Sequence, residues 1–171
     1  MRRITLCILM LALAAVATGC GGTMAFNMSD PQAAQLTFKK GGGWDQTSTP
    51  LPATLVLGAK SETLARLTNI PLHDGLTVYA RIKTFGNTEF SESGQVPLVI
   101  NAQDIQDVER GNVVRIVVVD PKKEYQTARF VQLRLSPTED AMKRGKEIGR
   151  PLALVVLGNR DPFLKERATA Y

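Results

Sequence analysis

Apolar and polar positions alternate with a period of two over most of the chain beyond residue 51. Leu76, Val78, Ala80 and Ile82 form one row, and Thr77, Tyr79, Arg81 and Lys83 form the other. That alternation predicts a strand with one buried face and one wet face. Val96, Leu98 and Ile100 repeat it, and so do Val131, Leu133 and Leu135 set against Gln132 and Arg134. Residues 113–119, interrupted by Arg115, and residues 152–157 are apolar on both faces and predict central strands. Residues 55–57 and 63–70 supply two more strands, and 34–38 an early one. Roughly seven or eight strands with frequent turn residues predict a mainly β domain, an antiparallel β-sandwich.

Two short peripheral helices interrupt the strands. Asn101 is placed to cap residues 102–110, with Gly111 ending the helix. Ser136-Pro137-Thr138-Glu139 has the pattern of a capping box with proline at the first helical position. It predicts a helix running to Ile148 and stopped by Gly149, with Ala141 and Ile148 facing the sheet.

The first twenty residues follow another pattern. Arg2 and Arg3 precede an apolar run, 4–16, broken only by Thr5, and Ala17-Thr18-Gly19 leads into Cys20. This is the layout of a secretory signal, shorter than the roughly 20 apolar residues of a spanning helix. The segment resembles the bacterial lipobox. The resemblance implies lipidation at Cys20 and removal of residues 1–19. Ala17 departs from it, because leucine is commoner there. Thr23-Met24-Ala25 offers a weaker site for ordinary signal-peptide cleavage. Gly21 stands where aspartate often retains lipoproteins in the inner membrane, which favours the outer membrane over the inner. Residues 20–50 contain Gly21-Gly22, Gly41-Gly42-Gly43 and a polar run, and read as a flexible tether and approach. The sandwich domain is then expected over residues 51–171.

Composition narrows the function classes. Removing Arg2 and Arg3 takes the formal charge from +5 to +3, with the two signs interspersed. That pattern gives no support to a nucleic-acid partner. The cysteines are Cys7, inside the apolar run, and Cys20. No thiol is left for a disulfide, a zinc site or a redox motif, and no cofactor is expected.

Candidate chemistry is sparse. His73, the single histidine, sits in Pro71-Leu72-His73-Asp74-Gly75, a turn composition, and a solvated turn residue is the favoured reading. Gly-x-Ser-x-Gly is absent. Asp104, Asp107 and Glu109 lack calcium-loop spacing and read as a solvated helix face. Glu89 and Glu92 lie in a hairpin-like loop, and nothing marks them as a glycosidase pair. Lys143, Arg144 and Lys146 make the second helix basic, and Lys122-Lys123 adds a pair in a turn. They are a solvated face or a contact with anionic headgroups. Trp44, the only tryptophan, follows three glycines. It either folds over a sandwich edge or stacks on a sugar or protein partner.

Several stretches carry a family resemblance. Residues 96–162 contain Val96-Pro97-Leu98, Gly111-Asn112-Val113-Val114, Val119-Asp120-Pro121 and Leu157-Gly158-Asn159-Arg160, and Asn69-Ile70-Pro71 precedes them. These resemble a group of uncharacterised envelope lipoproteins of planctomycete-type bacteria. The resemblance implies an envelope location and a β fold, and no site. The expected function is a membrane-anchored, non-catalytic binding or structural module. Its partners would be the bilayer, through acylated Cys20, and an envelope protein or cell-wall component. The alternative is an envelope hydrolase or carbohydrate-binding module.

Overall fold

The computed structural model describes residues 23–85, 95–125 and 129–161. Cys20 and the signal segment, Glu89 and Glu92 fall outside the described residues. The fold is mainly β, two packed sheets with two short helices.

Eleven strands occur among the described residues: β1 Thr23–Asp30, β2 Gln35–Lys40, β3 Gly43–Trp44, β4 Thr49–Pro50, β5 Ala53–Gly58, β6 Glu62–Thr68, β7 Val78–Thr84, β8 Val96–Val99, β9 Val114–Pro121, β10 Val131–Leu135 and β11 Gly149–Gly158. The helices are α1, Ala102–Glu109, and α2, Ala141–Ile148. One sheet has the order β5-β1-β8. The other runs β10-β9-β11-β7-β6-β2-β3, with β4 also pairing β2. The pairs are antiparallel except β1 with β8, which is parallel and departs from the all-antiparallel expectation.

The predicted alternation places the core. In β7, Val78, Ala80, Ile82 and Thr84 are buried, and Tyr79, Arg81 and Lys83 are not. Leu36, Leu67, Ile82, Val155 and Leu157 of the large sheet pack with Leu55, Leu57, Val96 and Leu98 of the small one. Ile105 and Val108 of α1 join the same core. Strand β9 is apolar on both faces because it has two partners. Ile116 and Val118 face this core, and Val117 and Val119 pack with Ala141 and Ile148 of α2, as predicted for those two. Gly145 lets α2 approach: a methyl group there would meet Pro151 at 2.7 Å.

The tether expectation is overturned from Thr23 onward. Phe26 and Met28 of β1 are wholly buried between their neighbours Leu55 and Leu98, and Leu36 of β2 is equally inside. The folded domain therefore includes residues 23–50. Helix α2 also starts later than predicted. Its N-cap is Asp140, whose side chain accepts from the Lys143 N–H at 2.8 Å. Ser136-Pro137-Thr138-Glu139 forms a separate turn, in which the Ser136 N–H donates to the Glu139 carboxylate at 2.6 Å. Arg115 steadies that turn by donating to the carbonyls of Ser136, Pro137 and Glu139 at 2.9–3.1 Å. Helix α1 follows the prediction, with Asn101 as N-cap and Gly111 at φ 88° beyond its end. Among the described residues no helix is long and apolar enough to cross a membrane.

Candidate binding face

The side of the large sheet turned away from the small one is divided. Helix α2 covers the part formed by β9 and β11. Over β2, β6 and β7 no helix or strand lies among the described residues. Register brings Thr37, which is buried, into one row with the partly buried Arg66 and Tyr79, and Leu64, Arg81 and Val156, also partly buried, into the next. The β2–β3 hairpin sets Trp44 opposite Lys39 at its edge.

Trp44 does not project freely into solvent. Its indole N–H donates to the Asp161 carboxylate at 3.2 Å, and its ring centroid lies 5.7 Å from that of Tyr79 at an interplanar angle of 46°. The Arg66 guanidinium carbon sits 5.1 Å from the Trp44 ring centre, a cation–π distance that contributes about 0.5–1 kcal/mol in a half-open setting. The Arg66 Nε is buried and finds no hydrogen-bond partner among the described residues. Burial raises the Tyr79 pKa, the Asp161 carboxylate raises it further, and Arg66 opposes them. The hairpin beneath is held by Lys40 and Asp45, 2.7 Å apart. The Lys40 ammonium, with the Thr47 N–H, lowers the Asp45 carboxyl from 3.8 to about 2. The result is a half-buried aromatic pair beside a guanidinium. Such a group can stack a planar or sugar face and grip an acceptor.

The other candidates are dispersed. His73 is more enclosed than a solvated turn residue, with its side chain 17% exposed, and its Nδ1 lies 3.0 Å from the Glu109 carboxylate. This contact braces the β6–β7 turn against α1. Asp104 is not on a solvated face. Its side chain is 3% exposed, accepts from the Asn101 N–H at 2.9 Å, and takes both arms of Arg134 at 2.9 and 2.7 Å. Asp107 remains at the surface, bonded to Gln103 and near Arg110. Among the described residues no three His, Cys, Asp or Glu side chains gather as a metal ion would require. Leu72, at the tip of the β6–β7 turn, is 98% exposed at φ 67°, a feature the sequence pattern does not signal.

No protein-family model, curated protein or solved structure matches this chain. The reading therefore rests on the chain's own residues.

The three basic residues of α2 differ. Arg144 is held by Glu147 at 2.7 Å and Glu139 at 4.0 Å, whereas Lys143 and Lys146 are exposed with no ion pair among the described residues. None of them approaches Trp44, so the predicted contact residues form two separate surfaces. Arg66, Tyr79 and Asp161 belong to the Trp44 face and were not predicted as site residues. The wet rows of β6 and β7 contain Arg66 and Tyr79, but only the strand register sets them side by side.

Proposed function

We propose that this is an exported protein, acylated at Cys20, whose domain is a non-catalytic module that binds an envelope protein or cell-wall partner on the Trp44 face. The observation that carries the binding face is the half-buried Trp44–Tyr79 pair with the Arg66 guanidinium 5.1 Å from the Trp44 ring centre, on a part of the sheet that no described helix or strand covers. The anchoring half of the reading is supported by the order of Arg2-Arg3, apolar run, small residues and cysteine. It is further supported by β1. Cleavage after Ala25 would remove Thr23, Met24 and Ala25, which pair with Gly58, Leu57 and Val56. Cleavage before Cys20 leaves the strand whole. Gly21 favours the outer membrane over the inner one. The likeness of residues 96–162 to envelope lipoproteins points the same way. The hydrolase alternative has no observation in its favour: His73 is engaged with Glu109 in a bracing contact.

Capture from the organism's own envelope with lipidated protein, wild type beside Arg66→Gln, tests the binding face. The reading expects a partner whose retention falls about tenfold in the variant at unchanged circular dichroism. Equal capture by both proteins would remove the Trp44 face from the account.

A further inference from the structure

We propose that the end of the sandwich where β1 begins rests on anionic lipid headgroups, through an array of exposed lysines. This rests on the anchoring at Cys20 proposed above and adds an orientation to it. Thr23 follows Cys20 by three residues, so their Cα atoms are at most about 11 Å apart. A lipid on Cys20 then holds the start of β1 within reach of the headgroups.

Strand pairing shows what else lies at that end. Thr23 is opposite Gly58, where β5 turns through Lys60 into β6. The Thr84 hydroxyl donates to the Gly58 carbonyl at 2.7 Å, which brings the end of β7 and Lys83 to the same place. Ala153 is opposite Thr84, and β11 continues from there back to Gly149, which pairs with Pro121. Lys122 and Lys123 follow Pro121. Helix α2 runs toward this end, with Lys146 in its last turn. Lys60, Lys83, Lys122, Lys123 and Lys146 are all exposed and make no ion pair among the described residues. The nearby carboxylates are mostly engaged: Asp120 with Arg150, Glu62 with Arg81 and Glu147 with Arg144. Glu124 is left. The connection 86–94, which carries Glu89 and Glu92, joins the end of β7 to the start of β8 and lies outside the described residues.

The opposite end carries more acidic than basic side chains, with Arg110 and Arg160 as exposed basic residues and Asp107 and Glu109 near Arg110 and His73. Asp30 closes β1, Asp74 sits in the β6–β7 turn, Asp107 and Glu109 are on α1, and Asp140 caps α2. A domain polarised along its strands, and tied at its basic end, is drawn basic end first toward a negative surface. The occupant is thus a lipid surface.

The test uses residues 20–171 with Cys20→Ser, free of acyl chains. Every core residue lies between Phe26 and Leu157, so this chain keeps the whole core, and circular dichroism checks its fold. Co-sedimentation is measured with vesicles of phosphatidylcholine alone and of phosphatidylcholine mixed with phosphatidylglycerol. Binding to the mixed vesicles only is expected. Added salt should weaken it, and the triple change Lys122→Glu, Lys123→Glu, Lys146→Glu should weaken it by about tenfold or more. Arg110→Glu, on the acidic end, should leave it unchanged. Equal binding to both vesicles, binding to neither, or an equal loss with Arg110→Glu would overturn the proposal. Because this chain carries no lipid, the result is independent of whether Cys20 is acylated in the cell.

Discussion

Asp104 joins three parts of the molecule through one carboxylate. It closes the capping box of α1 with Asn101 and receives both arms of Arg134 from β10. Arg134 is 39% exposed and can be solvated when Asp104 is removed, so the loss is that of the charge-assisted hydrogen bonds and the cap, about 1.5–3 kcal/mol. Asp104→Ala is therefore expected to lower unfolding free energy by about 2 kcal/mol in urea, whereas Asp107→Ala, at the surface, should change it by less than about 0.5 kcal/mol. Equal, small effects would show that the Arg134 contact contributes nothing. Sequence spacing could place Asp104 and Asp107 on one helix, and it named the cap. It could not separate their environments, because the arms that enclose Asp104 come from a strand 30 residues away. The same limit applies at Trp44. Its glycine-rich approach is visible in the sequence, but Tyr79, Arg66 and Asp161 come from distant segments.

At the scale of elements, the long alternating strands and α1 were legible because each carries its own periodicity and cap. Strand β1 was not. Phe26, Asn27 and Met28 alternate over too few residues to stand out between a signal segment and a glycine-rich stretch. Its partners, β5 and β8, lie about 30 and 70 residues further on. The β-sandwich uses β1 as the centre of its smaller sheet, so Phe26 has core neighbours on both sides. Phe26→Ala should cost about 3–5 kcal/mol, the usual range for a large core side chain. Thermal or urea unfolding of the domain measures it. A loss below about 1 kcal/mol would return residues 23–30 to the tether that their composition first implied. The start of α2 was misplaced for a related reason. Ser136-Pro137-Thr138-Glu139 does form its local hydrogen bond, but Arg115 gathers three carbonyls of that turn, and Asp140 becomes the cap.

Among the described residues, the molecule has a half-sheet that no helix or strand covers, with an aromatic–guanidinium group on it, and an array of exposed lysines at the end where β1 begins. With β1 starting three residues after Cys20, an anchored domain stands close to its membrane instead of on a long lead. In the proposed orientation the Trp44 face would run along the side of the domain, and the end of β1 at Asp30 would point away from the bilayer. Fold class was readable from patterning alone, whereas this arrangement needed the pairing of strands distant in sequence. The proposed anchoring rests on a lipid at Cys20. Growth of the source organism with a labelled fatty acid, followed by mass spectrometry of the mature N-terminus, tests that claim most directly. The account predicts label on the wild-type chain, a mature protein beginning at an acylated Cys20, and no label or processing in Cys20→Ala. An unlabelled protein whose mature chain begins at Phe26 would contradict it.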